Sequence, residues 1–208
     1  MITLYDYWRS SAAYRVRMAL NLLGLPYTSV PVNLLAGEHL GAENLARNPQ
    51  GLVPTLQIDG LTLTQSLAIM EYLDETRGCL LPRDAPGRAR VRALSYAIAM
   101  EIAPVCNLSV RTHIGKLFAN NFSADDWVRH YMLKGLNSFE IMLNDPATGT
   151  YCHGDKVSMA DLNLVPQLYN FERTGLDINQ FPRIAAITAR LRALPEIAAA
   201  HPDRVKPA

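Results

Sequence analysis

Two pairs of residues stand where a chain can grip an anion. Ser10-Ser11 falls between a short expected strand, residues 2–5, and the first expected helix. Unpaired backbone N–H groups and the helix dipole favour negative charge at such a point. From that position the serines can simply cap the helix, or one hydroxyl can donate to a bound thiolate. Gln65-Ser66 repeats the arrangement at a second helix start. A hydroxyl, an amide and several N–H groups there suit a carboxylate, and capping alone is again the plainer reading. Arg9, beside the first pair, and Arg173, at the end of a later helix, are the candidate cations; arginines so placed are mostly solvated or satisfy helix C-termini. Val53-Pro54 precedes a strand directly. Only about 5–6% of X–Pro bonds are cis, so spacing alone leaves that isomer open. The sequence has no Ser–His–Asp order, metal-ligand cluster or glycine-rich phosphate loop, and its five histidines are scattered.

The elements that must position these residues alternate over the first eighty positions. Val16, Ala19, Leu20 and Leu23 recur at helical spacing, and Gly24 with Pro26 stops that helix. A second strand is expected over 27–32, a short helix over 39–46, and a turn at Asn48-Pro49-Gln50-Gly51. Residues 55–58 and 61–64 flank Asp59-Gly60, a strong hairpin signal. Ser66 is placed to cap a helix from Leu67 to about Thr76, with Leu67, Met70 and Leu73 or Ile69 and Tyr72 inward. The order strand–helix–strand–helix–strand–strand–helix implies a small mixed sheet. Residues 78–87, with Pro82, Pro86 and two glycines, read as a linker. Helices then follow: one from 88 through a kink at Pro104, others at 124–143, 159–172 and 182–193, and a short one after Pro195. Ser158 and Asp161 have capping-box spacing, a fold-building element without chemistry.

The chain has 208 residues, 49% hydrophobic and 19% charged, with 20 basic and 19 acidic side chains. That balance gives no sign of a nucleic-acid surface or a polybasic membrane anchor. The start of the sequence lacks the basic, apolar pattern of a secretory signal, and no apolar run reaches the ~18–20 residues of a membrane span. Cys79, Cys106 and Cys152 are widely spaced and odd in number; neither a disulfide framework nor a C-x-x-C pair results, and a reducing, cytoplasmic setting is the simplest one.

Together these residues form a specific pattern. The run Ser10-Ser11-Ala12-Ala13-Tyr14-Arg15-Val16-Arg17-Met18-Ala19-Leu20 resembles the S-S-C-x-[WH]-R-V-R-I-A-L signature of zeta-class glutathione transferases, the maleylacetoacetate isomerase family. Asn48-Pro49, Val53-Pro54-Thr55-Leu56, Gln65-Ser66, Asn107-Leu108-Ser109-Val110 and Gly154-Asp155 with Ser158-Met159-Ala160-Asp161 continue the match over nearly the whole chain. The Val-Pro, Gln-Ser and capping-box patterns occur widely in the superfamily; the Ser-Ser…Arg-Val-Arg run is class-specific. The resemblance implies an α/β thioredoxin-like domain over 1–80, a linker over 81–87 and an all-α domain over 88–208. It also implies a cytoplasmic homodimer with glutathione as cofactor and a small dicarboxylic substrate.

By that resemblance Ser10, with Ser11 beside it, stabilises the glutathione thiolate. Val53, before a cis Pro54, pairs its backbone with the cysteinyl unit, Gln65 and Ser66 hold the γ-glutamyl end, and His39 meets the glycyl end. Asn107 and Arg111 are the expected contributors from the helical domain; because the substrate is a diacid, Arg9 and Arg173 are the expected catalytic cations, with Arg111 third. The implied reaction is cis–trans isomerisation of a conjugated diacid: a thiolate adds, the bond rotates, and the thiolate leaves. Maleylacetoacetate heads the candidate substrates, ahead of maleylpyruvate and of small α-halo acids; a non-catalytic binding protein is the alternative from another class. Two departures matter. Ala12 stands where the signature has Cys, and Cys106 where a glutamine is familiar, so no chemistry is carried over to either position.

Overall fold

The computed structural model describes residues 1–78, 80–118 and 123–207; the expectation for Cys79 therefore lies outside the described residues. The chain divides into two compact units, Met1–Leu80 with Ala193–Ala208, and Leu81–Arg192.

The first unit is built on a four-stranded sheet in the order β2-β1-β3-β4. Strands β1 (Thr3–Asp6) and β2 (Thr28–Pro31) are parallel, while β3 (Thr55–Ile58) runs antiparallel to both β1 and β4 (Leu61–Thr64). The β3–β4 turn has Asp59 at φ 51° and Gly60 at φ 76°, the pair of left-handed residues that a two-residue hairpin of matching twist requires. Helix α1 (Ser11–Leu22) packs on α3 (Ser66–Arg77). Leu4, Leu56, Val16, Met18, Leu20, Ile69, Met70 and Leu73 are withdrawn from water between sheet and helices, and such burial is the main stabilising term of a unit this size.

Several local expectations shift for physical reasons. Strand β1 ends on Asp6 rather than before it, because Arg17 neutralises that buried carboxylate through Nη1, at 2.8 Å from Oδ1 and 2.7 Å from Oδ2. The expected helix over 39–46 is two pieces, a 3₁₀ turn at Glu38–Leu40 and α2 (Ala42–Arg47), divided where Gly41 is extended. The inward stripe of α3 takes Ile69 from one expected set and Met70 and Leu73 from the other. Ser66 does not cap α3: Gln65 occupies the cap position and Ser66 opens the helix itself.

The second unit is helical: α4 (Ala85–Tyr96), a π-helical turn at Ala97–Ile102, α5 (Leu108–Leu117), α6 (Ala124–Met142), α7 (Met159–Glu172) and α8 (Pro182–Arg192). Helix α4 begins inside the expected linker, because Asp84 accepts from Gly87 N at 2.7 Å and Pro86 suits the first turn. The expected kink at Pro104 is a full break. The proline lacks a donor and crowds the preceding turn, and Asn107 starts α5 anew by accepting from Ser109 N. At the start of α7 the capping box forms, with Asp161 also accepting from Cys152 N at 2.9 Å. Helix α7 is buried along nearly its whole length.

Residues 88–208 do not form one unit. The stretch from Ala193, with α9 (Pro195–Ala199) and α10 (Pro202–Val205), groups with the sheet unit. Two α1 side chains hold it there: Arg17 Nε donates to Ala200 O at 3.1 Å and Asn21 Nδ2 to Glu196 O at 2.9 Å.

The Asp6–Arg17 pair yields a test of this frame. Asp6→Ala strands a buried guanidinium, which costs about 3–5 kcal/mol, and a urea melt will show a midpoint lowered to match. An unchanged midpoint would mean that the pair does not hold the unit together.

Candidate functional site

Topology brings the first unit's candidates to one end of the sheet. Tyr5 lies opposite Thr55, and Thr55 opposite Thr64. The chain therefore leaves β1 toward Arg9 and Ser10, enters β3 from Val53-Pro54, and leaves β4 toward Gln65 and Ser66, all at that same end. Since β2 runs parallel to β1, it also delivers its following loop, with His39, there.

Ser10 is the N-cap of α1. Its Oγ accepts from Ala13 N at 3.2 Å, and its own N–H donates to Tyr7 O at 2.8 Å. A hydroxyl carries two lone pairs and one proton, so the capping bond leaves the O–H to donate elsewhere. The two readings of this serine are thus compatible. Ser11 is the first residue of the helix, and Ala12 brings no thiol to its first turn. Arg9 stacks its guanidinium 5.4 Å from the centre of the Trp8 ring.

The Val53–Pro54 bond is cis, with Val53 buried. Among the described residues no backbone hydrogen bond is formed by the N–H or C=O of Val53, so both are free to pair with an extended ligand backbone. The Nδ1 of His39 is likewise shielded from water without a partner among the described residues.

At the other helix start, Gln65 has φ 66° and ψ 111°, a sparsely populated conformation for a residue with a side chain, of the kind concentrated at ligand clamps. Its side chain does not cap the helix; Nε2 donates to Gln50 Oε1 at 2.7 Å. Ser66 is buried, and its Oγ accepts from Arg15 Nη1 at 3.2 Å. Burial lowers the Arg15 pKa to about 10, which still leaves it charged at neutral pH.

Arg15 and Gln50 escape a reading by periodicity. The periodic face of Val16, Ala19 and Leu20 puts neighbouring arginines toward solvent. The missed signal is that α1 is apolar nearly all round, Ala12, Ala13, Tyr14, Val16, Met18, Ala19 and Leu20, and such a helix is buried on every side.

The second unit's candidates are occupied locally. Asn107 caps α5, and Arg111 Nη2 pairs with Asp125 Oδ1 at 2.8 Å. Arg173, exposed at the end of α7, lies 5.7 Å over the Tyr169 ring. Burial pushes the Cys106 thiol up to about 11 and the Cys152 thiol well above its ordinary range. Neither is a nucleophile at neutral pH, and no metal-binding cluster occurs among the described residues.

Comparison with known proteins places the chain in a family. Residues 1–75 match the family "Glutathione S-transferase, N-terminal domain", and residues 110–200 match "Glutathione S-transferase, C-terminal domain". The chain is 56% identical to the maleylacetoacetate isomerase of Rhizobium meliloti (strain 1021), over 98% of its own length and 97% of the relative's. It is 45% identical to the Mus musculus maleylacetoacetate isomerase, over 97% and 92% of the two lengths. Among solved structures it resembles a holo maleyl pyruvate isomerase described as a bacterial zeta-class glutathione S-transferase, with a TM-score of 0.94, 37% identity and 98% of each chain covered. It also resembles the maleylacetoacetate isomerase of Methylobacterium extorquens AM1 with bound malonate and glutathione, with a TM-score of 0.93, 40% identity, and 99% and 100% of the two chains covered. The chain belongs to the glutathione S-transferase family.

Proposed function

We propose that the chain is a glutathione-dependent cis–trans isomerase that converts maleylacetoacetate to fumarylacetoacetate in the catabolism of tyrosine and phenylalanine. The observation that carries the reading is Ser10: its Oγ caps α1 by accepting from Ala13 N, and its proton remains to be donated. The residues at that sheet end also suit the rest of a γ-glutamyl tripeptide. Val53 offers unpaired backbone beside the thiol position, Gln65 and Ser66 offer an anion grip for the γ-glutamyl end, and His39 faces the glycyl end.

When bound, glutathione supplies the sulfur that adds to the conjugated double bond, permits rotation and departs unchanged. The protein must raise the thiolate fraction, since a free thiol of pKa about 8.5 is only a few per cent ionised at neutral pH. Lowering that value by about two units takes roughly 2.7 kcal/mol. A hydroxyl donating to a charged acceptor contributes ~1.5–3 kcal/mol, and a helix N-terminus ~0.3–1 kcal/mol. Ser10 on α1 is therefore sufficient. Ala12 removes the thiol that the zeta signature usually places there, and the half-buried Cys106 and the buried Cys152 stay protonated, so the described cysteines do not compete for the substrate.

Arg9 supplies positive charge for a substrate with two carboxylates and for the negative charge that addition pushes onto its oxygen; Arg173 is the second unit's candidate cation. Asn107 and Arg111 are left to their local bonds in the second unit. A cytoplasmic homodimer belongs to the same reading and is supported by the zeta-class resemblance. No described helix is long and apolar enough to cross a membrane.

Maleylpyruvate is the second candidate substrate, favoured by the likeness to the maleyl pyruvate isomerase structure. A glutathione-dependent assay with both diacids in parallel decides between them. Ser10→Ala should lower turnover of the preferred diacid roughly 10- to 100-fold. The lost cap costs only about 1 kcal/mol of stability, too little to unfold the chain. Wild-type turnover that does not need glutathione, or a fully active variant, would sink the mechanism. Arg173→Ala should raise KM for the diacid roughly tenfold with glutathione affinity unchanged; unaltered kinetics would rule out a role for Arg173 as a cation in the reaction.

A further inference from the structure

We infer that Arg15 is the buried counter-charge of the carboxylate subsite at the start of α3, acting through the Ser66 hydroxyl on the α-carboxylate of a γ-glutamyl ligand. This deepens the glutathione reading above and rests on it.

The contrast with Arg17, two residues along the same helix, carries the argument. Both side chains are withdrawn from water, Arg15 to 3% exposure and Arg17 to 1%. Arg17 is satisfied: Nη1 reaches both oxygens of Asp6, Nη2 reaches Trp8 O, and Nε reaches Ala200 O. Arg15 makes one hydrogen bond, from Nη1 to Ser66 Oγ at 3.2 Å. Its Nε and Nη2 have no partner, and no carboxylate pairs with it, among the described residues. A buried cation left without a partner costs several kcal/mol. One bond to a serine does not offset that, and a neutral side chain could make the same bond.

The surroundings define what would compensate it. The first turn of a helix presents N–H groups without intrahelical partners. At α3 no side chain caps them, since Gln65 turns away to Gln50. Ser66 opens that turn, and its oxygen already accepts from the guanidinium, so its own O–H is left to donate outward. A hydroxyl whose oxygen accepts a bond is a stronger donor. Backbone donors, a polarised hydroxyl and a buried positive charge behind it together select a carboxylate over a neutral amide or alcohol. Arg15 does not touch that carboxylate; it is a positioning residue that sets the field in which Ser66 works.

Calorimetric titration of the full-length chain tests this, with glutathione and with an analogue whose γ-glutamyl α-carboxylate is replaced by hydrogen. Arg15→Met and Arg15→Gln remove the charge, Gln keeping a donor for Ser66, and Arg15→Lys retains it. Both neutral variants should lose at least about tenfold in glutathione affinity, bind the decarboxylated analogue as the wild type does, and melt without ligand no lower than the wild type. Arg15→Lys should recover part of the loss. An unchanged affinity, an equal loss for both ligands, or failure of both neutral variants to fold would overturn the inference. A wild type that does not bind glutathione would overturn the underlying reading instead, whatever the variants do.

Discussion

The position of the first helix start depends on one side chain. Arg17 grips Asp6 at the end of β1 and Trp8 O in the loop beyond it, and so fixes both ends of the short path that leads to Arg9 and Ser10. Its third contact, to Ala200 O, draws the C-terminal stretch onto the same helix. A charge pair this deep contributes little net stability against an apolar replacement, but its geometry is demanding. Only one register of β1 against α1 lets a single guanidinium meet a carboxylate and two carbonyls at once. The cap at Ser10 is aimed because that register is held.

Two buried arginines on one helix then do opposite work. Arg17 engages all three of its nitrogens within the protein, whereas Arg15 directs its single bond toward Ser66 and leaves Nε and Nη2 unmatched. The strained backbone of Gln65 belongs with the second arrangement. A left-handed φ at a non-glycine residue costs about 1–3 kcal/mol, and here it keeps a side chain from capping the helix that Ser66 opens. Together with the thiolate grip proposed for Ser10, this would give the sheet end two anion positions, both at helix starts. A γ-glutamyl peptide carries its carboxylate and its sulfur along one chain and can meet both.

What was legible in the sequence depended on local chemistry. Asp59-Gly60 announces its hairpin because both residues tolerate positive φ, and Ser158 with Asp161 announces a helix start because the capping box closes within three residues of sequence. Ser10, Gln65 and Ser66 were visible as helix starts, and the zeta-class pattern added their assignment to a ligand. The rest required long-range contacts. Whether Ser66 caps α3 or opens it is linked to an arginine fifty-one positions away taking its oxygen. The grouping of Ala193–Ala208 with the sheet follows from backbone carbonyls meeting Arg17 and Asn21, and no residue type in that stretch signals it. Pro104 marked an interruption, but whether the helix bends or ends was decided by Asn107 starting a new one.

The proposed mechanism depends on the start of α1, through Ser10, holding sulfur as an anion. The direct measurement is a pH titration of the ultraviolet thiolate absorbance of glutathione bound to the wild-type chain. The bound thiol is expected to titrate about two units below its free value of roughly 8.5. A bound thiol that still titrates near 8.5 would contradict it.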